Sequence, residues 1–223
     1  MGRPVRRRAA DRDKVCKRIL DVAEQHFRRV GHRKTSVAGI ASELGMSPAN
    51  VYRFFPSKDA INESICRRVV NEIADIALAI ARTKAPPLEK LERLLTAVHH
   101  HNKSKLVTER CMHDLVAAAM QGNWAIIKTH LARMVTIFEV IIREGAEAGE
   151  LEVDDPAEAA RAVRTAVTPF FHPILIEHSV DHGEDTEAGL REQIRFIRKA
   201  LGKSDQAAGR RCVPEDHTGQ TGH

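Results

Sequence analysis

The sequence predicts an all-α protein in which a small N-terminal domain of three helices joins a larger helical domain. Three observations support this prediction. Apolar residues recur at three- and four-residue intervals along most of the chain, Gly and Pro separate the periodic segments, and no segment alternates as a strand would. A chain of 223 residues, 43% apolar and 29% charged, can bury one substantial core and a small second module.

The same spacing predicts about nine helices. Residues 1–13 lack apolar periodicity and are expected to form a disordered basic arm, and the Gly-rich, polar stretch 203–223 is expected to form a disordered tail. A small helical domain is then assigned to 14–60 and a larger helical domain to 61–202. The predicted helices cover 15–30, 35–44, 48–55, 57–85, 88–104, 106–121, 124–148, 156–179 and 186–201.

Charge is distributed unevenly along the chain. Residues 1–60 hold 14 Lys or Arg against 6 Asp or Glu, whereas the remainder holds 21 against 24. A basic N-terminal end is expected to contact a polyanion, which is either a nucleic acid or an anionic membrane surface. The arm that contains Arg3, Arg6, Arg7 and Arg8 either enters a DNA minor groove or adds only nonspecific attraction.

Membrane insertion and secretion are not expected. The most apolar run, 73–81, is short and contains Asp75, and no apolar segment follows the basic start of the chain. The four cysteines show no CxxC spacing and fall mainly in helical patterns, which is typical of unpaired thiols in a reducing compartment. A cytoplasmic protein with no membrane partner is therefore predicted.

The segment GMSPANVYRFFPSK, 45–58, contains the features of a helix-turn-helix. Ala41 is small where two helices approach, Gly45 suits a left-handed turn, and Val51 follows six residues later to pack the third helix. Ser47 is a good N-cap, and Pro48 is favoured in the first turn because its missing N–H would have had no helical partner. The segment thus predicts a short helix placed to enter a DNA major groove.

At this point the sequence resembles the TetR/AcrR family of bacterial transcriptional regulators. The matching residues are TSVAGIASELGMSPANVYRFFPSKDAI at 35–61, preceded by ILDVAEQHFRRVG at 19–31. The motif resemblance covers about a quarter of the chain, and the number and length of the helices fit the rest. Phe54 departs from the family pattern, in which His often stands at that position, and its role is left open.

The resemblance implies roles for individual residues. Thr35 corresponds to a phosphate-contacting cap and Tyr52 to a phosphate-binding tyrosine, while Asn50 is the best candidate for a hydrogen bond to a base edge. Arg53 can reach a phosphate or a guanine, and Lys58 lies at the positive end of the fourth helix. The expected DNA contacts are thus Thr35, Ser47, Pro48, Ala49, Asn50, Tyr52, Arg53 and Lys58.

The family also implies that 14–60 is the helix-turn-helix DNA-binding domain and that the helical domain 61–202 binds a small-molecule effector and forms a homodimer. Its last two long helices pair with their copies in a four-helix bundle, and here these would be 156–179 and 186–201. Pro169 and Pro173 are expected to kink the first of them, which leaves space and free carbonyl acceptors. The candidate pocket residues are His113, Trp124, Phe170, Phe171 and His172, although the three at 170–172 could equally belong to the dimer face.

Histidine is concentrated in the larger domain, with eight of the twelve between residues 99 and 182. Consecutive histidines on a helix point 100° apart, so the triplet at 99–101 cannot converge on one ion. No cofactor is required by the sequence, but His101, His113, Asp114 and His172 are candidates for a divalent metal or polar-ligand site. Ordinary hydrogen-bonded histidines are the alternative interpretation.

Two other functions compete with a ligand-responsive repressor that binds a palindromic operator. A metal-dependent helical enzyme would use the histidines and acids, but no HExxH, nucleophile elbow, phosphate loop or dinucleotide fingerprint is present. An architectural DNA-binding protein would use the basic end without a pocket. We therefore expect a DNA-binding regulator without catalytic activity, whose partners are operator DNA, a second copy of the chain and an effector.

Overall fold

The computed structural model describes residues 3–122 and 124–202. These residues form eleven helices and no strand, with one isolated bridge between Leu151 and Gly202, so the all-α prediction is confirmed. No helix in this part of the chain combines the length and apolarity needed to cross a bilayer. The helices are α1 Arg3–Val30, α2 Val37–Glu43, α3 Pro48–Tyr52, α4 Lys58–Ala81, α5 Pro87–Thr108, α6 Arg110–Gln121, α7 Ala125–Glu147, α8 Pro156–Ala166, α9 Thr168–Phe171, α10 Pro173–Asp181 and α11 Thr186–Leu201.

Helix α1 begins much earlier than the sequence pattern indicated. The expectation of a disordered arm over 1–13 is wrong for 3–13, which is the first part of α1, while 1–2 lie outside the described residues. Ala and Arg favour a helix here, and Pro4 is tolerated in a first turn. The missing periodicity reflects exposure, since residues 9–14 are all exposed. The predicted tail at 203–223 also lies outside the described residues.

The predicted helix 156–179 is divided into α8, α9 and α10, which raises the helix number from about nine to eleven. Pro169 and Pro173 interrupt the backbone ladder, so the kink expected from the sequence is a break with extended backbone at His172. Two carbonyls left free by the break are bound by α5: His99 Nδ1 donates to the Phe170 carbonyl over 2.9 Å, and Asn102 Nδ2 donates to the Phe171 carbonyl over 3.3 Å.

The apolar residues form two cores. The smaller core is built from α1 to α4 together with α6 and the start of α7, and includes Phe27, Ile61 and Leu115. The larger core is built from the second half of α4 with α5, α7, α8 and α11. Helix α4 contributes to both cores, so the predicted domain boundary between residues 60 and 61 falls inside a helix that the two domains share.

Candidate DNA-binding surface and effector cavity

The turn between α2 and α3 has the geometry that the helix-turn-helix prediction requires. Gly45 has a φ of 65°, its N–H donates to the Ser42 carbonyl, and the Met46 N–H donates to the Ala41 carbonyl. This is the Schellman arrangement that ends a helix at a left-handed residue. Ala41 and Val51 are both buried in the smaller core, as the spacing predicted. The turn fixes the direction in which α3 leaves the domain.

The front of α3 is presented to solvent. Ser47 is the N-cap, and its hydroxyl accepts a hydrogen bond from the Asn50 N–H over 3.2 Å. Ser47, Pro48 and Ala49 are exposed, and Asn50 is half-buried beside them. A short helix whose first turn is uncovered can place these side chains against base edges, and the DNA contacts implied for them stay a prediction.

The three aromatic residues near the end of α3 have different surroundings. Phe55 is buried in the smaller core, whereas Tyr52 is 48% exposed. Phe54 is half-buried, and the guanidinium carbon of Arg12 lies 5.5 Å from the centre of its ring. Arg12 Nη2 also donates to the Arg53 carbonyl over 3.5 Å. Phe54 therefore holds the exposed half of α1 against α3, a role that sequence reasoning left open.

Lys58 is the first residue of α4, as the resemblance implied, and a second contact fixes its position. Its Nζ donates to the Arg33 carbonyl over 2.9 Å, which brings Arg33 and Lys34, both exposed, close to the positive end of α4. These two cations were not among the predicted site residues. The sequence feature that could have indicated them is their position two and three residues after Gly31, which ends the first helix.

Thr35 does not occupy the position expected of a phosphate-contacting cap. It is 3% exposed, and its hydroxyl donates to the Gly31 carbonyl over 2.9 Å. The N-cap of α2 is the neighbouring Ser36, whose exposed hydroxyl accepts from the Gly39 N–H. The role predicted for Thr35 is corrected because the tight turn after Gly31 directs its side chain inward and leaves Ser36 at the helix end.

A cavity of about 150 Å³ lies where the two cores meet. Its wall comes from α1 and from α4 to α10, and it is mostly apolar, with Val116, Leu131 and Phe138 among the lining residues. Cavities of about this size hold a benzene-sized molecule. Because α1 and α4 also belong to the smaller core, a molecule in this cavity would touch the helices that carry the DNA-binding surface.

Three of the five predicted pocket residues, His113, Phe171 and His172, line the cavity. Trp124 does not, because it packs against the smaller core beside Gly122. Phe170 does not line it either, since the break in the backbone turns its ring against Gly189 and edge-on to His99. His113 of α6 and Phe171 and His172 at the break therefore lie at the cavity, whereas Trp124 and Phe170 do not, and the binding of an effector by these residues stays a prediction.

The four predicted metal ligands do not come together. His101, His113 and His172 line the cavity, but Asp114 is exposed on the other side of α6. Across 3–122 and 124–202, no group of three His, Cys, Asp or Glu side chains is arranged to hold a metal ion. His113 is instead engaged with Glu177, whose Oε2 lies 2.8 Å from its Nε2. The hypothesis of a metal site at these residues is therefore corrected.

Histidine nitrogens are a distinctive feature of the cavity wall. His101, His113, His130 and His172 all line it, and each has one buried ring nitrogen with no hydrogen-bond partner among the described residues. Burial lowers the pKa of His101 and of His172, and burial together with the charge of Arg133 lowers the pKa of His130 to about 4. At neutral pH these three rings are uncharged groups that can bind a polar atom of a ligand.

Ion pairs connect the cavity wall to α1, and sequence reasoning missed them. Arg28, in the last turn of α1, contacts Glu24 over 2.7 Å and Glu109 over 3.1 Å. Glu109 lies between α5 and α6 and also contacts Lys105, which in turn contacts Glu72 of α4. Burial raises the pKa of Glu109, but the hydrogen bonds and charges of Arg28 and Lys105 together outweigh it and lower the pKa below its usual range.

An exposed helix-turn-helix joined through shared helices to a domain with an internal cavity defines the class of ligand-responsive DNA-binding regulators. Two family profiles match the chain: "Bacterial regulatory proteins, tetR family" over residues 19–65 and "Tetracyclin repressor-like, C-terminal domain" over residues 87–189. The protein belongs to the TetR family of bacterial transcriptional regulators, as its helix-turn-helix motif indicated.

Individual relatives agree with this assignment. The HTH-type transcriptional repressor KstR2 of Mycobacterium tuberculosis is 24% identical over 144 residues, which cover 61% of this chain and 70% of the repressor. A TetR-family regulator from Mesorhizobium loti has the same fold, with a TM-score of 0.65, 16% identity and coverage of 86% of this chain and 98% of its own. SmeT, the repressor of the Stenotrophomonas maltophilia efflux pump SmeDEF, superposes with a TM-score of 0.62, 18% identity and coverage of 85% and 91%.

Proposed function

We propose that this protein is a homodimeric transcriptional repressor that binds a palindromic operator and is released from it by a small-molecule effector. The observation that carries the proposal is the position of the cavity. Helices α1 and α4 line it and also form the core that supports α3. An effector that binds one arrangement of these helices more tightly than another shifts the protein toward that arrangement. Operator affinity then changes by an amount set by the difference in effector affinity between the two arrangements.

DNA binding rests on the exposed front of α3 and the cations around it. Asn50 is the base-reading candidate, and Tyr52, Arg53 and Lys58 are the phosphate contacts. Arg33 and Lys34 join them because Lys58 touches the Arg33 carbonyl. Phosphate contacts supply affinity that depends on salt, whereas base contacts supply preference for one sequence.

Dimerisation is proposed through α10 and α11. Phe196 of α11 is 67% exposed, and Leu175 and Val180 of α10 are 42% and 37% exposed. Large apolar side chains at such exposure are typical of protein interaction surfaces. A second copy that covers them would place two α3 helices on one face of the dimer. Two half-sites about 34–36 Å apart would then be read.

Repression, rather than activation, is proposed because KstR2 and SmeT are both named as repressors. A catalytic function is not part of the proposal. The metal-dependent alternative loses its support because its four candidate ligands do not converge. The architectural alternative leaves the histidine-lined cavity between the two cores without a use.

The proposal is tested by selecting DNA from a random library with the purified full-length protein. We expect one palindromic consensus, a complex with two chains per site, and release by a subset of screened compounds. Lys58→Ala should weaken binding to all sequences alike and reduce the dependence of log K on log salt by about one ion. Recovery of no consensus sequence, or of a complex with one chain per site, would contradict the proposal.

A further inference from the structure

We propose that the cavity binds a small apolar carboxylic acid, with Arg164 as its counter-ion and His113 as a hydrogen-bond partner of its carboxyl group. This inference rests on the proposed function in one respect, that the cavity is the effector site. It adds the chemical class of the effector. Two independent observations carry it, one on α8 and one on α6.

The first observation is a cation that lacks an acidic partner. Arg28, Lys105 and Arg164 are the Arg and Lys residues that line the cavity. Arg28 is paired with Glu24 and Glu109, and Lys105 is paired with Glu72 and Glu109. Arg164 is half-buried and, among the described residues, its guanidinium has neither a hydrogen bond nor an ion pair. A planar guanidinium beside an apolar cavity is suited to a carboxylate, which it can bind with two parallel hydrogen bonds.

The acidic residues of the cavity wall are already paired with basic side chains, which favours an anionic ligand over a cationic one. Glu24, Glu72 and Glu109 are the acids that line the cavity, and each contacts at least one basic side chain. A cationic ligand would therefore have to compete with Arg28, Arg68 or Lys105 for every carboxylate. An anionic ligand meets Arg164 without displacing any of these pairs. The cavity thus favours an acid over an amine.

The second observation is the unpartnered nitrogen of His113. This residue is 4% exposed, and its Nε2 lies 2.8 Å from the Glu177 carboxylate. A carboxylate only accepts hydrogen bonds, so Nε2 carries a proton, and Nδ1 is a bare acceptor in the neutral ring or an N–H donor in the charged ring. Nδ1 is buried and has no partner among the described residues. An ionised carboxyl group beside Arg164 would accept a hydrogen bond from the Nδ1–H of the doubly protonated ring, whose other N–H already faces the Glu177 carboxylate.

The rest of the wall limits what the acid can be. Its apolar residues, such as Val116, Leu131 and Phe138, surround a volume of about 150 Å³, so the body of the ligand should be apolar and about the size of one aromatic ring. Inorganic phosphate would leave this apolar surface without a partner. The neutral ring of His130 adds a further polar position for a substituent.

The test compares benzoate, benzyl alcohol and toluene as probes of nearly equal size. Binding to the full-length protein is measured without DNA, by ligand-detected NMR and calorimetry at pH 7. We expect benzoate to bind at least 10-fold more tightly than toluene, with benzyl alcohol between them. Arg164→Met should weaken benzoate binding about 10- to 100-fold and leave toluene within about 2-fold, since only the charge-assisted hydrogen bonds are lost. Arg161→Met, an exposed change one turn earlier on α8, is the matched control and should change neither.

Equal affinity for benzoate and toluene, or benzoate affinity that survives Arg164→Met, would overturn the inference. Equal losses in Arg161→Met and Arg164→Met, or no binding of any probe at millimolar concentration, would do the same. Because DNA is absent from this assay, its failure is distinguishable from failure of the proposed function. That function fails when the DNA selection yields no palindrome, whatever the probes do.

Discussion

Arg28 and Glu109 are 81 positions apart in the sequence, yet Arg28 Nε lies 3.1 Å from Glu109 Oε2. This contact joins the last turn of α1 to the junction between α5 and α6. Both residues also line the cavity. The ion pair is thus a direct physical connection between the helix that supports the DNA-binding surface and the wall that an effector would touch.

Removing the Arg28–Glu109 ion pair should lower the free energy of unfolding only slightly but should clearly raise the pKa of the Glu109 carboxyl group. Arg28→Met should lower the free energy of unfolding by about 0.5 kcal/mol, since the side chain of Arg28 is well exposed and such pairs are weak. The pKa of Glu109 should rise, because Arg28 holds it down. Urea unfolding and carboxyl-detected NMR titration measure the two quantities. Arg29→Met, at the exposed neighbour of Arg28, should change neither, and an unchanged Glu109 pKa in Arg28→Met would refute the pairing.

Asn50→Ala should change which bases are preferred rather than the overall affinity for DNA. Asn50 stands at the uncovered front of α3, and a lost base contact costs about 1–3 kcal/mol at one position of the site. Binding to the selected operator and to single-base variants measures this. Tyr52→Phe is the comparison, and it should weaken all sequences alike. Equal losses on operator and random DNA in Asn50→Ala would contradict the role assigned to Asn50.

Arg12 and Phe54 should show a measurable coupling. The guanidinium over the ring predicts that Arg12→Met and Phe54→Leu together destabilise the protein less than the sum of the single changes, by about 0.5–1 kcal/mol. A double-mutant cycle in urea measures the coupling. The control is a second double-mutant cycle that combines Lys14→Met with Phe54→Leu. Lys14 is another exposed cation of α1, and its effect should be additive with that of Phe54→Leu. Additivity in both cycles would show that the Arg12 contact contributes nothing.

His130 should make the protein less stable in acid. Its pKa of about 4 in the folded state lies below the ordinary value of 6.5, so the unfolded chain binds a proton more readily. Stability attributable to this residue is complete above pH 6.5 and decreases as the pH falls toward 4. The loss should be about 2–3 kcal/mol. Urea unfolding between pH 7 and pH 4 measures it.

His130→Gln should flatten that pH dependence. His100→Gln is the control, since His100 is exposed on α5. An unchanged pH profile in His130→Gln would mean that the His130 ring is not buried in the neutral form.

The helix-turn-helix could be predicted from the sequence because its signals are local. Ala41, Gly45 and Ser47 act within one or two turns of themselves, through a small side chain, a left-handed residue and an N-cap. Thr35 shows where local reasoning ends. Two adjacent hydroxyl residues could both cap α2, and the turn after Gly31 decides which one faces inward.

The contacts that define the cavity could not be predicted, because they join distant parts of the chain. Pro169 and Pro173 predicted a kink, but nothing near them indicated that His99 and Asn102 would bind the freed carbonyls from about 70 residues away. In the same way, Trp124 and Phe170 lie near cavity-lining residues in the sequence, but neither side chain lines the cavity because each packs against a different part of the fold. The helix that packs against an aromatic side chain determines whether it lines the cavity, and the local sequence does not identify that helix.

Helix α1 contains 28 residues without interruption, so it is a single rod about 42 Å long. Arg28 stands at one end beside the cavity, and Arg12 stands well toward the other beside α3. A tilt of about 5° about the Arg28 end would carry the backbone at Arg12, about 24 Å away, through about 2 Å. Because α1 is one uninterrupted helix, a rotation about its Arg28 end would displace the residues beside α3 by more than those beside the cavity.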